Sequence, residues 1–410
     1  MKIIDGGVTA PKGYSAAGVC AGIKKKKDKL DMAMVVSEVP AVAAGTFTTN
    51  VVKAAPVRWD MGLLQEKQPI KAVVINSGVA NAATGLPGEE DNKEMAQACA
   101  QALGAGITCC NIFTASTGVI GPRLPMEAIK KGAGMLAGAL NDTREAGHTA
   151  ATAIMTTDTI PKECAVSIEL GGTTVTIGGM SKGSGMIHPN MATMLSVITT
   201  DAVIDRALLQ EAVSAGVKVS FNMISVDRDT STNDSCMVLA NGLAGNPAIT
   251  EKNADYQVFA EAIRYVMTEL AKKMAADGEG ASKLFTAKIV GAVTKEDAVI
   301  LAKSVISSNL VKTAVYGNDA NGGRILCAMG YSGVDFDPYK VDLTIESAEG
   351  SVMLFENGMQ TDFSEEHATK VLSASEVTAI ADLKLGDAEA TAWGCDLTYD
   401  YVKINADYRS

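Results

Sequence analysis

Thr193 is the residue around which a reaction can be written. It lies in the stretch Ser181 to Asp201, SKGSGMIHPNMATMLSVITTD. If the chain cuts itself between Ala192 and Thr193, the new terminus carries a hydroxyl and a free α-amine on one residue, a nucleophile with its base attached. The reference pKa of an α-amine is about 7.7 to 8.0, so a fraction is neutral near neutral pH and can take the hydroxyl proton directly or through water. A surface turn fits the same residues, since Gly183 and Gly185 supply positive φ and Pro189 and Asn190 punctuate loops. On composition alone both readings stay open.

Other residues could serve acyl transfer. Thr117-Gly118 ends the apolar run NIFTASTGVIG, as a strand end followed by a turn glycine or as an oxyanion hole made of a hydroxyl and a backbone N–H. Thr156, Thr157 and Asp158 read as a helix terminus, where such side chains compete for backbone hydrogen bonds. Lys182 reads as a solvated lysine or as a partner for a carboxylate. Asp277-Gly278-Glu279-Gly280 ends a helix and exposes a carboxylate, at a terminus that favours a nearby cation. The three histidines, His148, His188 and His367, have no partner at ligand spacing, which leaves little support for a zinc site or a Ser-His-Asp triad. That favours a nucleophile whose base is not histidine.

The elements that must position these groups alternate between strand and helix. MLSVIT, Met194 to Thr199, reads as a buried strand, and so does Lys71 to Ile75, ending in a turn at Asn76, Ser77 and Gly78. ECAVSIEL and TTVTIGGM form a hairpin around Gly171-Gly172. Helices are expected over 91–103 with Asp91 as N-cap, over 124–140, 143–155 and 206–217, and over a long stretch ending at Asp277. In the last of these Val258, Phe259, Ile263, Val266, Met267, Leu270 and Met274 keep helical periodicity and are assigned to the core. KLFTAKIVGA reads as a strand, AVILAKSVISSNLVKTAVYG as one helix, GRILCAMGYSG as a strand, and the tail from Glu389 as an alternating strand.

KGSGMIHPNMATML resembles the processing segment of the ornithine acetyltransferase family, the glutamate N-acetyltransferases of arginine biosynthesis, whose precursors cut themselves before this threonine. Further segments are similar in the same order: NSGVANAATG, STGVIG, MTTDT, DTSTND, DGEG, YGNDANGGRIL and the terminal Asn405 with Ser410. The resemblance implies that Thr193 is the nucleophile, that Thr117 and Gly118 hold the oxyanion, and that Thr156, Lys182, Glu279, Asn405 and Ser410 contact substrate. It implies acetyl transfer from N-acetylornithine to glutamate in two ping-pong steps, with no cofactor, and leaves acetyl-CoA open as an alternative donor. The expected fold is a layered α/β sandwich of the ornithine acetyltransferase and self-processing aminopeptidase type. Cleavage gives an α chain, residues 1–192, and a β chain, residues 193–410, which stay intertwined and assemble as two α and two β chains. DTSTND is equally a structured loop of turn formers, and NSGVANAATG receives no role. Gly322 stands where an aromatic residue is expected.

Composition bounds the alternatives. With 47% hydrophobic and 20% charged residues, the 410-residue chain can bury a sizeable core. A net charge of −11 argues against nucleic acid or acidic membranes as partners, because phosphate binding needs clustered Lys and Arg. The basic run Lys24 to Lys27, with Lys29, is interrupted by Asp28 and Asp31 and reads as a solvated turn. Eight cysteines without a C-x-x-C pair read as buried free thiols, and no apolar run reaches signal-peptide or membrane-spanning form, so a cytoplasmic location is expected. A self-processing aminopeptidase or amide hydrolase would use the same nucleophile and pass the acyl group to water. A non-enzymatic binding protein would show no cleavage.

Overall fold

The computed structural model describes residues 1–26, 28–104, 106–188 and 194–407. Ala192, Thr193 and Ser410 therefore lie outside the described residues. The chain folds into two compact units, one of Met1–Gly183, 194–222 and Asp229–Ala271, the other of Ser184–His188, Met223–Arg228 and 272–407. Each unit holds one β-sheet.

The first unit contains a nine-stranded sheet in the order Lys2–Ile4, Lys162–Leu170, Thr173–Lys182, Leu195–Thr200, Ser235–Ala240, Met32–Phe47, Ile70–Val79 and Ile112–Val119, with Tyr14–Val19 also paired to Met32–Phe47. Alternation along its strands explains why the sheet is covered on both faces. Ala33, Val35, Val73 and Ile75 enter one apolar cluster, while Met32, Met34, Val36, Ala72 and Val74 enter another. Both sets are essentially removed from water, and strands buried on two faces read as continuous apolar runs such as AVVI. The long strand Met32–Phe47 shifts register between Val36 and Ala41, around Pro40, which cannot donate to a ladder. Its second half pairs with Ser235–Ala240, its first half with Tyr14–Val19 and Ile70–Val79. The expected hairpin is present, with Gly171 and Gly172 at φ +53° and +81°, a conformation for which glycine is suited. The strand expected at 194–199 runs from Leu195 to Thr200 and is fully buried.

Several expectations need correction. The strand begun at Lys71 runs from Ile70 to Val79, so Asn76, Ser77 and Gly78 belong to it. A helix, Ala55–Gln65, follows the strand Met32–Phe47, an element that the sequence did not suggest. Asp91 is not an N-cap. The helix spans Gly85–Leu103, and Asp91 is buried inside it because Arg123 grips both carboxylate oxygens, at 2.6 and 2.8 Å. The basic run is not simply solvated: Asp31 accepts backbone N–H groups of Ala21, Gly22, Ile23 and Lys24 at 2.6 to 3.1 Å, folding the turn over its carboxylate. Within Ala254–Ala276 the assigned core residues are at 0% exposure, except Val258, which is 38% exposed.

The second unit contains a seven-stranded sheet in the order Met359–Gln360, Gly350–Glu356, Asp342–Ser347, Glu376–Asp382, Leu284–Ala292, Ala388–Cys395 and Ile224–Ser225. The single helix expected after Leu284–Ala292 is two, Lys295–Ser307 and Asn309–Tyr316, bent by 57° where Ser308 caps the second through Val311 N–H. No single helix among the described residues is long and apolar enough to cross a membrane, though this bent pair has the length and composition. GRILCAMG forms a helix, Gly322–Gly330, rather than a strand; a short apolar run does not distinguish the two, and the Asn321 cap on Arg324 N–H decides it. The tail is a strand only to Cys395 and then the helix Tyr399–Ala406, capped by Thr398. The eight cysteines are free, but only Cys99, Cys164, Cys236 and Cys395 are buried; Cys20, Cys109 and Cys110 are half-buried and Cys327 is exposed.

Gly322 acquires a physical account. A Cβ there would meet the Phe355 ring at 2.6 Å and Leu343 at 3.1 Å, so Phe355 fills the space beside this helix start. Gly322→Trp should lower thermal stability by the equivalent of about 1–3 kcal/mol through overpacking. Pairing it with Phe355→Ala should recover part of the loss in a melting curve. Equal melting temperatures for wild type and the single variant would refute the clash.

Candidate functional site

The expected oxyanion element stands on the first unit's parallel strands Ile70–Val79 and Ile112–Val119, which place Ser77 opposite Thr117 and Gly78 opposite Gly118. Both glycines have positive φ, +116° and +130°, and a Cβ on Gly118 would fall 2.2 Å from the Gly78 carbonyl carbon. Glycine is required there by backbone conformation and by close approach. Polar side chains brace the strand ends. Ser116 Oγ donates to Asn76 Oδ1 at 2.6 Å, Asn76 Nδ2 to Val79 O at 2.9 Å, and Ser77 Oγ to Ala153 O at 2.6 Å. Asn233 Nδ2 donates to Ala80 O and Ser116 O, at 2.6 and 2.8 Å. The motifs NSGVANAATG and DTSTND thus brace the strand end at Thr117 and Gly118, which lie within Ile112–Val119 and not in a turn.

Lys182, at the end of strand Thr173–Lys182, donates from Nζ to Thr117 Oγ1 at 3.3 Å. It is buried, not solvated. Its Nζ stands 3.9 Å from Asp158, a fully buried carboxylate that accepts from Lys162 Nζ at 2.7 Å, Gly183 N–H at 2.8 Å and Thr156 N–H at 3.1 Å. Burial alone would raise the Asp158 pKa, but the charges of Lys182 and Lys162 and these hydrogen bonds outweigh it and hold the carboxyl far below the ordinary range. Thr117, Thr156 and Lys182 are therefore brought together, and the group that joins them, Asp158, was read from the sequence only as part of a helix end. The spacing of Asp158 and Lys162 was the available signal.

Lys24 adds another cation. Its Nζ donates to Leu30 O and Met155 O, each at 2.8 Å. Burial pushes its pKa down to about 8, with the Asp31 charge opposing.

In the second unit, Glu279 follows the end of the helix Ala254–Ala276, and its carboxylate is 6% exposed rather than displayed to solvent. Asn405 Nδ2 donates to Glu279 Oε2 at 2.7 Å, so these two expected substrate residues are in contact. The helix that carries Asn405 is tied back by Thr398 Oγ1, which donates to Gly280 O at 2.7 Å. The start of the expected processing segment is fixed by the same region. Ser184 Oγ donates to Asp277 O at 2.7 Å, and the Met186 and Ile187 N–H groups donate to the Asp227 carboxylate at 2.6 and 2.8 Å. A Cβ on Gly185 would fall 2.2 Å from Glu279 Oε2, which explains a glycine there. His188 Nδ1 lies 3.0 Å from Ser225 Oγ. Burial, then the charges of Lys303 and Arg228, push His188 down to about 4, so it is neutral near pH 7. Among the described residues no His, Cys, Asp and Glu cluster could hold a metal.

The Lys24 shift has a testable sign. Between pH 8 and 10.5 the folded amine is neutral while the unfolded one is protonated, so unfolding takes up a proton and stability rises with pH. Below pH 8 the burial penalty on the charged amine is fully present. Lys24→Met should flatten the rise of urea-unfolding free energy across that window; an unchanged slope would contradict the shift.

The sequence profile of the ArgJ family matches residues 15–410. An arginine biosynthesis bifunctional protein ArgJ from Symbiobacterium thermophilum is 53% identical over 411 residues, covering 100% of both chains. One from Thermotoga neapolitana is 47% identical over 401 residues, covering 98% of this chain and 99% of that one. Among solved structures, the ArgJ protein of Bacillus halodurans matches with 45% identity and a TM-score of 0.49, over 51% of this chain and 96% of that one. Ornithine acetyltransferase of Mycobacterium tuberculosis, complexed with ornithine, matches with 41% identity and a TM-score of 0.43, over 47% and 99%. With matches of that extent and identity along its whole length, the chain belongs to the ArgJ family.

Proposed function

We propose that the chain is a self-processing acetyltransferase of arginine biosynthesis that moves the acetyl group of N-acetylornithine to glutamate. Family membership supports the reaction, and one geometric observation supports its placement: the Lys182 ammonium meets the Thr117 hydroxyl beside the Gly78–Gly118 approach.

Thr193 Oγ attacks the Ala192 carbonyl, the resulting ester is hydrolysed, and the freed α-amine becomes the base for the next attack. Thr193 then attacks the acetyl carbonyl of N-acetylornithine; Thr117 and Gly118 donate to the oxyanion, the amide C–N bond breaks, and ornithine leaves with a proton. The α-amine of glutamate attacks the acetyl ester, Thr193 Oγ recovers its proton, and N-acetylglutamate departs. Thr156, Lys182, Glu279, Asn405 and Ser410 contact the shared amino-acid part of donor and acceptor. No cofactor takes part. Acetyl-CoA serves as a second donor, a reading supported by the word bifunctional in the relatives' names. The enzyme works in the cytoplasm on small molecules, as two α and two β chains.

The sheet explains why cut pieces would stay together. Strand Leu195–Thr200, from the piece after the cut, pairs residue for residue with Ile177–Lys182 of the piece before it. Ser235–Ala240, also after the cut, pairs with Val42–Phe47. Separating 1–192 from 193–410 would break both ladders.

Three outcomes are expected. Denatured intact mass should give two pieces meeting between Ala192 and Thr193, and one full-length chain from Thr193→Ala, whereas uncut wild type after full maturation would leave the mechanism without its free amine. Thr117→Ala should lower kcat by about 10²- to 10³-fold. Acetyl should pass to glutamate, while acetate release independent of acceptor would instead favour a hydrolase.

A further inference from the structure

Asp158 is not among the groups assigned to the reaction, yet it accepts the Thr156 N–H at 3.1 Å and faces the Lys182 ammonium at 3.9 Å. We propose that Asp158 is a positioning residue that acts through the Lys182 ammonium to hold the Thr117 hydroxyl as an oxyanion donor. This deepens the acetyl-transfer reading and rests on it.

The argument starts from donors and acceptors. An ammonium has three donors and no acceptor, so in the contact between Lys182 Nζ and Thr117 Oγ1 the hydroxyl oxygen must accept. The single Thr117 hydroxyl proton is then directed away from Lys182 and is available to an acceptor elsewhere. A hydroxyl that accepts from a cation is also polarised into a stronger donor. Lys182 thus determines both the direction and the strength of Thr117 donation.

What determines Lys182 is the carboxylate behind it. Asp158 faces two ammonium groups unequally, hydrogen-bonded to fully buried Lys162 at 2.7 Å and 3.9 Å from Lys182. Lys162 compensates the buried negative charge, and Lys182 reaches from the same carboxylate to Thr117. The same carboxylate fixes the backbone at Thr156 and Gly183. Gly183 follows Lys182 directly, so its N–H bond to Asp158 also anchors the main chain from which Lys182 projects. A displacement of about 1 Å in such an arrangement can cost on the order of 100-fold in rate.

The competing account is that Asp158 only neutralises Lys162. Asp158→Asn, Thr117→Ala and the double variant, all in the full-length cleaved enzyme, separate the two. Asp158→Asn should lower kcat by about 10- to 100-fold. On the Thr117→Ala background the same change should cost less than about threefold, since residues acting through one group are not additive. Asp158→Asn with Lys162→Met removes the buried charges together and should recover thermal stability without recovering kcat. If that variant regains both, or if the Asp158 and Thr117 losses multiply, the proposal is overturned. Where Asp158→Asn fails to fold, Asp158→Asn with Lys162→Met takes its place and must be non-additive with Thr117→Ala; multiplication there also overturns it. Should the enzyme prove to pass acetyl to water, the cycle is read on acetate release. Failure of the transfer reading and failure of the Asp158 role are thereby told apart.

Discussion

A carboxylate removed from water is tolerated only when cations and hydrogen-bond donors surround it, and Asp158 shows how much structure that condition organises. Its ion pair with Lys162 lies fully inside the first unit, where removing one partner typically costs about 3–5 kcal/mol. That demand fixes Lys162 at the start of one strand, Gly183 just past the end of its neighbour, and Thr156 after a helix. Lys182 is carried to Thr117 as a consequence. The electrostatic cost of burial and the placement of Lys182 beside Thr117 are one arrangement.

The glycines around it follow a related logic of close approach. Gly118 allows two parallel strand ends to meet where a Cβ would fall 2.2 Å from the Gly78 carbonyl carbon, and Gly185 lets backbone pass against the Glu279 carboxylate. Asn76, Ser116 and Asn233 then satisfy the carbonyls and side chains left by those irregular strand ends. An oxyanion donor is useful only if it does not reorganise during the reaction, and such bracing would restrain the one proposed at Thr117 and Gly118.

Local pattern made much of this legible. The buried strand after Thr193, the Gly171-Gly172 hairpin and the helices near 126–139 and 206–219 follow from apolar periodicity and from residues with few conformational alternatives. Thr117, Lys182, Glu279 and Asn405 were legible through motif resemblance, and the structure brings the first two into contact and the last two into contact. What escaped depends on partners distant in sequence. Asp91 resembled a cap because Arg123, which keeps it buried, is 32 residues away. Asp158 resembled a helix end because its backbone partner Gly183 is 25 residues away. GRILCAMG was mistaken for a strand because eight mostly apolar residues fit either period, and a single cap at Asn321 decides between them.

The central claim is that Thr193 carries the acetyl group between donor and acceptor. Its most direct measurement is the intact mass of each piece after incubation with N-acetylornithine alone, followed by an acid quench and peptide mapping. The account predicts one added acetyl group on Thr193 of the piece 193–410, discharged when glutamate is supplied as N-acetylglutamate forms. Transfer proceeding with no acetyl on that threonine, or with acetyl on another residue, would contradict it.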